Sequence, residues 1–397
     1  MSTHDRHETA ESQLVLLLDD DATVTEGLAA GLEREGRTII TCNDLESAQL
    51  IVERFNPSHI VSDVRLTGQF GFEGLEFIRY ARKHSPESRI ILMTGDPSEA
   101  LQLEASERGA VAFLSKPFEV AQLDSILDLM QCSALSSSAS DATPLIRMPM
   151  LDEIVGSSSL SPFFQPIVEL DAEHRIIGYE ALARYRDNYL LRDPQVLFEY
   201  AMRKQRILDL ELACVSQALR SGAQLARDKM LFMNIHPAVL SHGRELRDRL
   251  LEETRRNAID PQRIVLEITE QGSLKDDRSV FDDVERLRDL GLRFALDDVG
   301  VAYSHLPFID KLRPSFLKIS QHFGTAFETD PTKLKIVANL QSLATGFDCE
   351  LILEGIKHEA TAEIAALMGI RYGQGFLFRH PAEASELLAG GVSKLDD

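Results

Sequence analysis

The stretch RFALDDVGVAYSHL (Arg293–Leu306) runs from an apolar segment into two adjacent carboxylates, Asp297 and Asp298. An acidic pair at the end of such a run is either a solvated turn or a place where a hard cation is held for chemistry. The same pattern stands near the start of the chain, in QLVLLLDDDATV (Gln13–Val24). Whether the two clusters serve one site or belong to two domains depends on where the chain divides.

A chain of 397 residues exceeds one ordinary core and predicts two domains. Its 44% hydrophobic and 26% charged residues are those of a globular protein. No apolar run approaches the roughly 18 residues of a membrane span, so no membrane insertion is expected. The opening MSTHDRHETAES is polar, lacks the apolar core of a signal peptide, and is expected to be a disordered tail over residues 1–12. Cys42, Cys132, Cys214 and Cys349 are scattered without metal-ligand spacing and read as reduced thiols of a cytoplasmic protein. Acidic residues outnumber basic ones, 63 to 42, for a net charge of −21. That surface repels phosphate backbones, and no helix-turn-helix pattern is present, so DNA is not an expected partner. A protein this acidic that handles phosphates needs local help from metal ions, Arg or Lys.

The stretch QCSALSSSASDATPLIRMPM (Gln131–Met150) is serine-rich, holds Pro144 and Pro149, and shows no helical stripe. It reads as a linker over 131–150. Before it, over 13–130, LVLLL, HIVSDV, RIILMT and VAFLS read as buried strands, alternating with the amphipathic TEGLAAGLEREG, LESAQLIVERF and LEFIRYARKH. Such alternation predicts a doubly wound parallel sheet that works at the carboxyl edge of its strands. After it, over 151–397, RIIGYEALAR, MLFMNIHP, RIVLEITE, LRFALDDVG, SFLKIS, ELILEGI and GQGFLF alternate in the same way for longer. That length and repetition suit a closed (β/α)8 barrel, although an open doubly wound sheet gives similar runs.

In the first domain Asp19 and Asp20 end the first strand, Asp63 ends HIVSDV, Thr94 ends RIILMT, and Lys116 follows VAFLS in SKPF. If the sheet forms, all five meet at one edge. Three carboxylates at close range repel one another and favour a hard cation such as Mg²⁺. An aspartate with a cation and a hydroxyl beside it is equipped for in-line phosphoryl transfer. With DDD, SDV, MTG and SKPF in this order, residues 13–130 resemble the CheY-like receiver domain of two-component response regulators, a flavodoxin-like fold. The resemblance implies that Asp63 is the phosphoacceptor, that Asp19, Asp20 and Asp63 hold Mg²⁺, and that Thr94, Lys116 and the aromatic Phe113 form the switch. It also implies a cognate sensor histidine kinase as partner.

In a barrel, charged residues at the carboxyl ends of strands read as catalytic because the loops converge there. The candidates are Glu180, Asn234, Glu267, Asp297, Asp298, Lys318, Glu354 and Gln374. Carboxylates and an amide oxygen suit Mg²⁺ or Mn²⁺; none of the 11 His residues falls in a metal-binding pair. Two ions bridged by an aspartate would clamp a phosphodiester and the attacking water. A free carboxylate beside them, with Glu354 the candidate, could take the proton from that water. Lys318 and Arg184 would supply positive charge for the phosphate. This reading requires Glu180, Glu267 and Asp297 to lie close enough to share one ion.

EALAR (Glu180–Arg184), together with FFQPIVEL, NIHP, EITE, LDDVG, LKIS, EGIK and QGFLFRHP, resembles the EAL-domain family over residues 160–385. Members of that family hydrolyse cyclic di-GMP to the linear dinucleotide on a modified barrel with one antiparallel strand. The resemblance implies a metal shell of Glu180, Asn234, Glu267 and Asp297, with Asp298 serving a second ion or the water. It implies Lys318 as the residue orienting that water and Glu354 as the general base. Gln165, Glu180, Arg184 and Gln374 would contact the nucleotide.

Three departures qualify the match. The family's usual DDFGTGYSSL is DDVGVAYSHL here, with Val299, Val301 and Ala302 in place of an aromatic, a hydroxyl and a glycine; Glu270, the usual anchor of that loop, is retained. The usual KID is KIS, which places Ser320 where an Asp is common. The usual EGVE is EGIK, which places Lys357 where a Glu is common. Facing the metals, Lys357 would weaken their binding by roughly 1–3 kcal/mol; facing outward it would cost little. The leading expectation is therefore a response regulator whose receiver controls a metal-dependent cyclic di-GMP phosphodiesterase, through the barrel or a second subunit of a homo-oligomer. The alternatives are a barrel that binds the dinucleotide without turnover and one that binds a protein partner.

Overall fold

In a computed structural model the chain is described over residues 13–66, 73–95, 98–129, 145–269, 278–300, 305–324 and 327–389. It divides into two compact units, Met1–Glu153 with Arg186–Gln205, and Ile154–Tyr185 with Arg206–Asp397. The expected tail over 1–12, Cys132, Glu270, Val301 and Ala302 lie outside the described residues. Among those described, no helix is long and apolar enough to cross a membrane.

The first unit alternates β1 (Gln13–Leu18), α1 (Ala22–Leu32), β2 (Arg37–Cys42), α2 (Leu45–Phe55), β3 (His59–Asp63), α3 (Glu73–His84), β4 (Arg89–Thr94), α4 (Glu99–Arg108), β5 (Ala112–Ser115) and α5 (Val120–Leu129). The strands pair in parallel in the order β5-β4-β3-β1-β2, the flavodoxin-like order. β1 reads as one apolar run because helices cover both faces of a parallel sheet. Asp21 starts α1 by accepting from the Thr23 N–H, and Asp44 starts α2 by accepting from Ser47 N–H, so two of the acids after strands are helix caps. β2 and α4 were not legible as elements. RTIITC carries polar residues yet is buried throughout, and α4 has no clear apolar stripe.

The stretch expected as a linker ends in order rather than in a coil. Leu145–Arg147 forms β6, which pairs in parallel with β2 and extends the sheet. After α6 (Leu151–Val155), the segment Arg186–Gln205 also belongs to the first unit, although its position after EALAR assigns it to the second domain. It carries α7 (Pro194–Arg203), capped by Asp193. Arg203 bridges Glu53 of α2 at 2.5 Å and Glu199 at 2.6 Å; Arg54 Nε donates to Glu199 at 2.7 Å; Lys204 pairs with Asp44. Asn188 donates to the Arg147 carbonyl and Tyr200 to the Pro149 carbonyl, which ties the segment to the chain around β6.

The second unit is a closed eight-stranded barrel: β7 (Leu160–Glu169), β8 (Ile176–Tyr185), β9 (Met230–Ile235), β10 (Ile264–Thr269), β11 (Arg293–Val299), β12 (Phe316–Ile319), β13 (Glu350–Leu353) and β14 (Tyr372–Gly373). β7 runs antiparallel to both β8 and β14, and every other pair is parallel. One expected strand is shorter than its apolar run. GQGFLF leaves the sheet after Gly373, and the Phe378 and Arg379 N–H groups both turn back onto the Gly375 carbonyl.

Strand alternation then places the site. Ile167, Phe232, Val265, Ala295, Phe316, Ile352 and Tyr372 form one buried cluster inside the barrel. Each stands two positions from a candidate residue: Gln165, Asn234, Glu267, Asp297, Lys318, Glu354 and Gln374 in turn. Side chains two apart on a strand share a face, so a polar layer sits directly on an apolar plug. Beneath Glu180 the corresponding residue is Gly178. A Cβ there would meet the Met230 carbonyl at 2.8 Å and the Phe232 ring at 2.9 Å, so the plug itself requires glycine.

Candidate active site and the receiver acidic cluster

The polar layer closes around one ammonium group. Lys318 Nζ lies 2.8 Å from Glu354 Oε1, 2.9 Å from Glu267 Oε1, 3.2 Å from Glu180 Oε2 and 3.7 Å from Asp297 Oδ1. Its side chain is 1% exposed. Asn234 Nδ2 donates to Glu180 Oε1 at 2.7 Å, and Gln374 Nε2 donates to Glu180 Oε2 at 2.7 Å and to Gln165 Oε1 at 3.0 Å. Six strands, β7 to β12, therefore contribute to one connected network, and Glu354 and Gln374 join it from just beyond the ends of β13 and β14.

Charge is the dominant feature of this layer. Burial favours the neutral form of Lys318, but Asp297, Glu180, Glu267 and Glu354 outweigh it and hold the ammonium well above its ordinary pKa. Burial likewise pushes every carboxyl up. For Glu180 the Lys318 charge and the donors from Gln374 and Asn234 win, and its carboxyl stays below the usual value. For Glu267 burial and the neighbouring Glu180 prevail, and the carboxyl rises well above it. Asp297 is raised by burial, with Lys318 opposing. Glu354 is pushed up to about 8 by burial, again against Lys318.

The expectations for individual residues fare differently. Glu354 is not a free carboxylate; it is tied to Lys318. Lys318 faces four acids inside the barrel instead of standing ready for a phosphate. Asp298 takes φ 55° at a register shift in the pairing of β11 with β12, and its N–H donates to Asp297 Oδ1 at 2.9 Å. Arg184 lies over the Phe163 ring at 5.8 Å and donates to its neighbour's carbonyl, away from the Lys318 contacts. Ser320 is buried, whereas Lys357 is exposed.

Glu180, Glu267 and Asp297 gather at the barrel mouth, but not within the spacing of one small ion. Among the described residues, three carboxylates reach that closeness only in the receiver cluster. The barrel donors nevertheless fit a hard divalent ion in kind. They are carboxylate and amide oxygens, and Glu267 Oε2 is a buried acceptor with no hydrogen-bond partner. The ammonium of Lys318 holds the place of a central positive charge, so a divalent ion enters only with a shift of these side chains.

Sequence reasoning missed Glu211, on α8 (Ile207–Gly222). It is buried, accepts the His236 N–H at 2.6 Å just beyond β9, and leaves its other oxygen unpartnered. Burial pushes its carboxyl up to about 8. The signal was an acid in register with Val215 and Leu219 on the buried stripe of that helix.

In the first unit, Asp19, Asp20 and Asp63 bring oxygens within 4.8 Å of one another. Lys116 Nζ lies 2.6 Å from Asp19 and 3.3 Å from Asp63. Burial and Asp19 raise the Asp63 carboxyl, with Lys116 opposing. Thr94 is buried at the end of β4, where its carbonyl accepts the Lys116 N–H at 2.7 Å, and Phe113 is half-buried on β5 opposite Leu92. All five polar residues expected at the sheet edge are therefore at strand ends on one edge.

Residues 150–381 match the family model of the EAL domain. The chain belongs to the EAL domain family. Residues 15–128 match the response regulator receiver domain, so the chain joins a receiver to an EAL barrel. Among proteins it resembles is the cyclic di-GMP phosphodiesterase RocR of Pseudomonas aeruginosa, 26% identical across 88% of this chain and 91% of that one. Among solved structures, the PaMucR phosphodiesterase in complex with c-di-GMP is 25% identical at a TM-score of 0.54, covering 60% of this chain and 97% of its own. The EAL enzyme Bd1971, in a form binding cAMP and cyclic di-GMP, is 28% identical at a TM-score of 0.54, covering 58% of this chain and 64% of its own.

Proposed function

We propose that this chain is a response regulator whose barrel hydrolyses cyclic di-GMP to linear pGpG with Mg²⁺ or Mn²⁺, under control of phosphorylation at Asp63. The observation that carries the reading is the ring of Glu180, Glu267, Asp297 and Glu354 around Lys318 on the barrel's polar layer. The similarity to RocR over nearly the whole of both chains supports the same architecture.

Glu180, Asn234, Glu267 and Asp297 would hold the ion, with Asp298 at its edge. Such an ion, when bound, offsets charge on the phosphodiester and makes water more acidic. Glu354 takes the proton from the attacking water, and the burial that raises its carboxyl makes it a stronger base than an exposed carboxylate. Lys318 holds Glu354 at 2.8 Å and so fixes where that proton goes. Gln374, itself held by Gln165, orients Glu180; both glutamines face the nucleotide, and Arg184 supplies charge to a phosphate.

At the receiver, Asp19, Asp20 and Asp63 offer hard oxygens for Mg²⁺. The Asp63 carboxylate accepts the phosphoryl group from a sensor histidine kinase, Lys116 pairs with the new charge, and Thr94 donates to it. Phe113 answers that change, and the barrel or a second copy of the chain reads it.

A reading of binding without turnover is favoured by one observation, the wide spacing of the barrel carboxylates around Lys318. Incubation of the purified chain with cyclic di-GMP and Mg²⁺ or Mn²⁺ decides between them. Linear product that is lost in Glu354→Ala supports the enzyme; saturable binding without product supports the binder. Acetyl phosphate that changes neither turnover nor oligomeric state removes the control by Asp63.

A further inference from the structure

β9 carries Asn234 into the polar layer, and its place along the barrel is set from outside by α8. At the start of the strand Leu231 packs on Gly222 of α8, where a Cβ would stand 2.8 Å from the Leu231 side chain. At its end Glu211 accepts the His236 N–H at 2.6 Å. The eleven residue steps from Glu211 to Gly222 span about 16 Å of helix. The five from Leu231 to His236 span about 16 Å of strand. Helix and strand match in length, and α8 therefore holds β9 at both ends with Asn234 between them.

The contact at His236 falls where strand pairing stops. β9 pairs with β8 as far as Met233 and with β10 as far as Ile235. The His236 N–H lies past the last paired residue on either side, and a backbone donor at such a point needs an acceptor from elsewhere. Glu211 supplies it from a buried stripe of α8 otherwise filled by Leu210, Val215 and Leu219. On the other side of the same residue, His236 Nδ1 accepts the Ala238 N–H at 3.1 Å and starts the turn Pro237–His242. The exit of β9 is thus fixed within two residues of Asn234.

Asn234 spends its donor end on Glu180 Oε1 at 2.7 Å, and its oxygen end is the one that suits a hard ion. We propose that Glu211 is a positioning residue that sets Asn234, and through it Glu180, for the divalent ion of the barrel. This assignment rests on the reading of the barrel as a metal-dependent site. Glu211 touches neither ion nor nucleotide; it holds the backbone from which Asn234 reaches into the layer.

The test uses the full chain carrying Asp20→Asn and Asp63→Asn, so that Mn²⁺ binding reports the barrel and not the receiver. Three changes are compared with this parent. Glu211→Leu keeps the bulk and loses the acceptor, Glu211→Asp draws the acceptor back by one methylene, and Glu211→Gln keeps it in place. Free Mn²⁺ read by electron paramagnetic resonance is expected to show binding weakened about ten-fold to a hundred-fold in Glu211→Leu, less in Glu211→Asp, and by no more than about two-fold in Glu211→Gln. The metal-free side-chain amide resonance of Asn234, seen with isotope-labelled asparagine and identified by its loss in Asn234→Ala, is expected to move in Glu211→Leu and to stay in Glu211→Gln. A change in stability alone would not move it, and chemical denaturation checks that each variant is folded. If neither Glu211→Leu nor Glu211→Asp weakens Mn²⁺ binding, or if the Asn234 resonance stays put, the positioning role is overturned while the metal site stands. If the parent binds no Mn²⁺ in the barrel, the metal reading falls and takes the role of Glu211 with it.

Discussion

The two acidic clusters are built from the same parts and solve opposite problems. Each sets carboxylates at the ends of parallel strands and places one lysine among them. In the receiver, Asp19, Asp20 and Asp63 crowd within 4.8 Å of each other while Lys116 stands to one side, its side chain 26% exposed. In the barrel, Lys318 is at the centre, 1% exposed, and the acids stand around it. The receiver leaves the repulsion among its three acids offset only from one side, by Lys116. The barrel has relieved most of it with its own ammonium, and that makes the lysine a structural part as well as a chemical one.

Removing the two lysines therefore breaks the comparison most sharply. Lys318→Met leaves four carboxyl groups buried around an apolar side chain, and the barrel is expected to lose about 3–5 kcal/mol of stability along with all turnover. Lys116→Met leaves Asp20 and Asp63 within reach of water but Asp19 buried, and its cost is expected to be smaller, about 1–2 kcal/mol. Chemical denaturation of the two variants checks both figures. Equal losses would mean that burial at Lys318 does not set its role.

A narrower cut separates chemistry from charge balance within the barrel. Glu354→Gln keeps the shape of the side chain and its neighbour Lys318 but cannot take a proton. Turnover is expected to fall by roughly 10²–10⁴-fold, the usual contribution of a general base, with affinity for the dinucleotide little changed. A parallel fall in affinity and turnover would make Glu354 a binding group.

Glu211 supplies the case of a buried acid with no lysine at all. Its folded pKa of about 8 lies above the ordinary carboxyl value near 4.5, so the folded state holds a proton that the unfolded state releases between those values. Its contribution to stability is complete below about pH 4.5 and declines as pH rises toward 8, by a few kcal/mol at about 1.4 kcal/mol per unit. Glu211→Gln, which cannot ionise, is expected to flatten that slope for the barrel's unfolding transition. A slope unchanged by the substitution would place the pH dependence elsewhere.

Most of the candidate site could be read in advance because strand alternation is a strict rule. In LFMNI, VLEI, FALDD, FLKI and LILE, a polar residue interrupts an apolar strand two positions after an inward-facing one, and such a residue must share the barrel interior. What alternation cannot give is the distance between side chains from different strands. Strand alternation therefore offers Lys318 to a phosphate and a water without revealing that its ammonium lies beside four acids. Elements whose burial comes from neighbours instead of their own composition were equally hidden. β2 is buried despite two threonines and an arginine; β6 follows a serine-rich stretch; α7 joins the first unit through ion pairs with α2 that no local pattern announces.

The smallest expected effect concerns Lys357, where the sequence left two opposite consequences open. A cation turned toward the barrel's acids would have competed with a metal ion at short range. The side chain is exposed instead, and solvent screens a charge there strongly. Lys357→Glu should therefore change the metal concentration giving half-maximal binding by no more than about two-fold at physiological salt. A titration of Mn²⁺ at two ionic strengths reads this directly. A ten-fold gain in metal affinity that fades at high salt would show that charge outside the Lys318 ring still reaches its acids, and the contrast between a self-neutralised barrel and an open receiver would lose its basis.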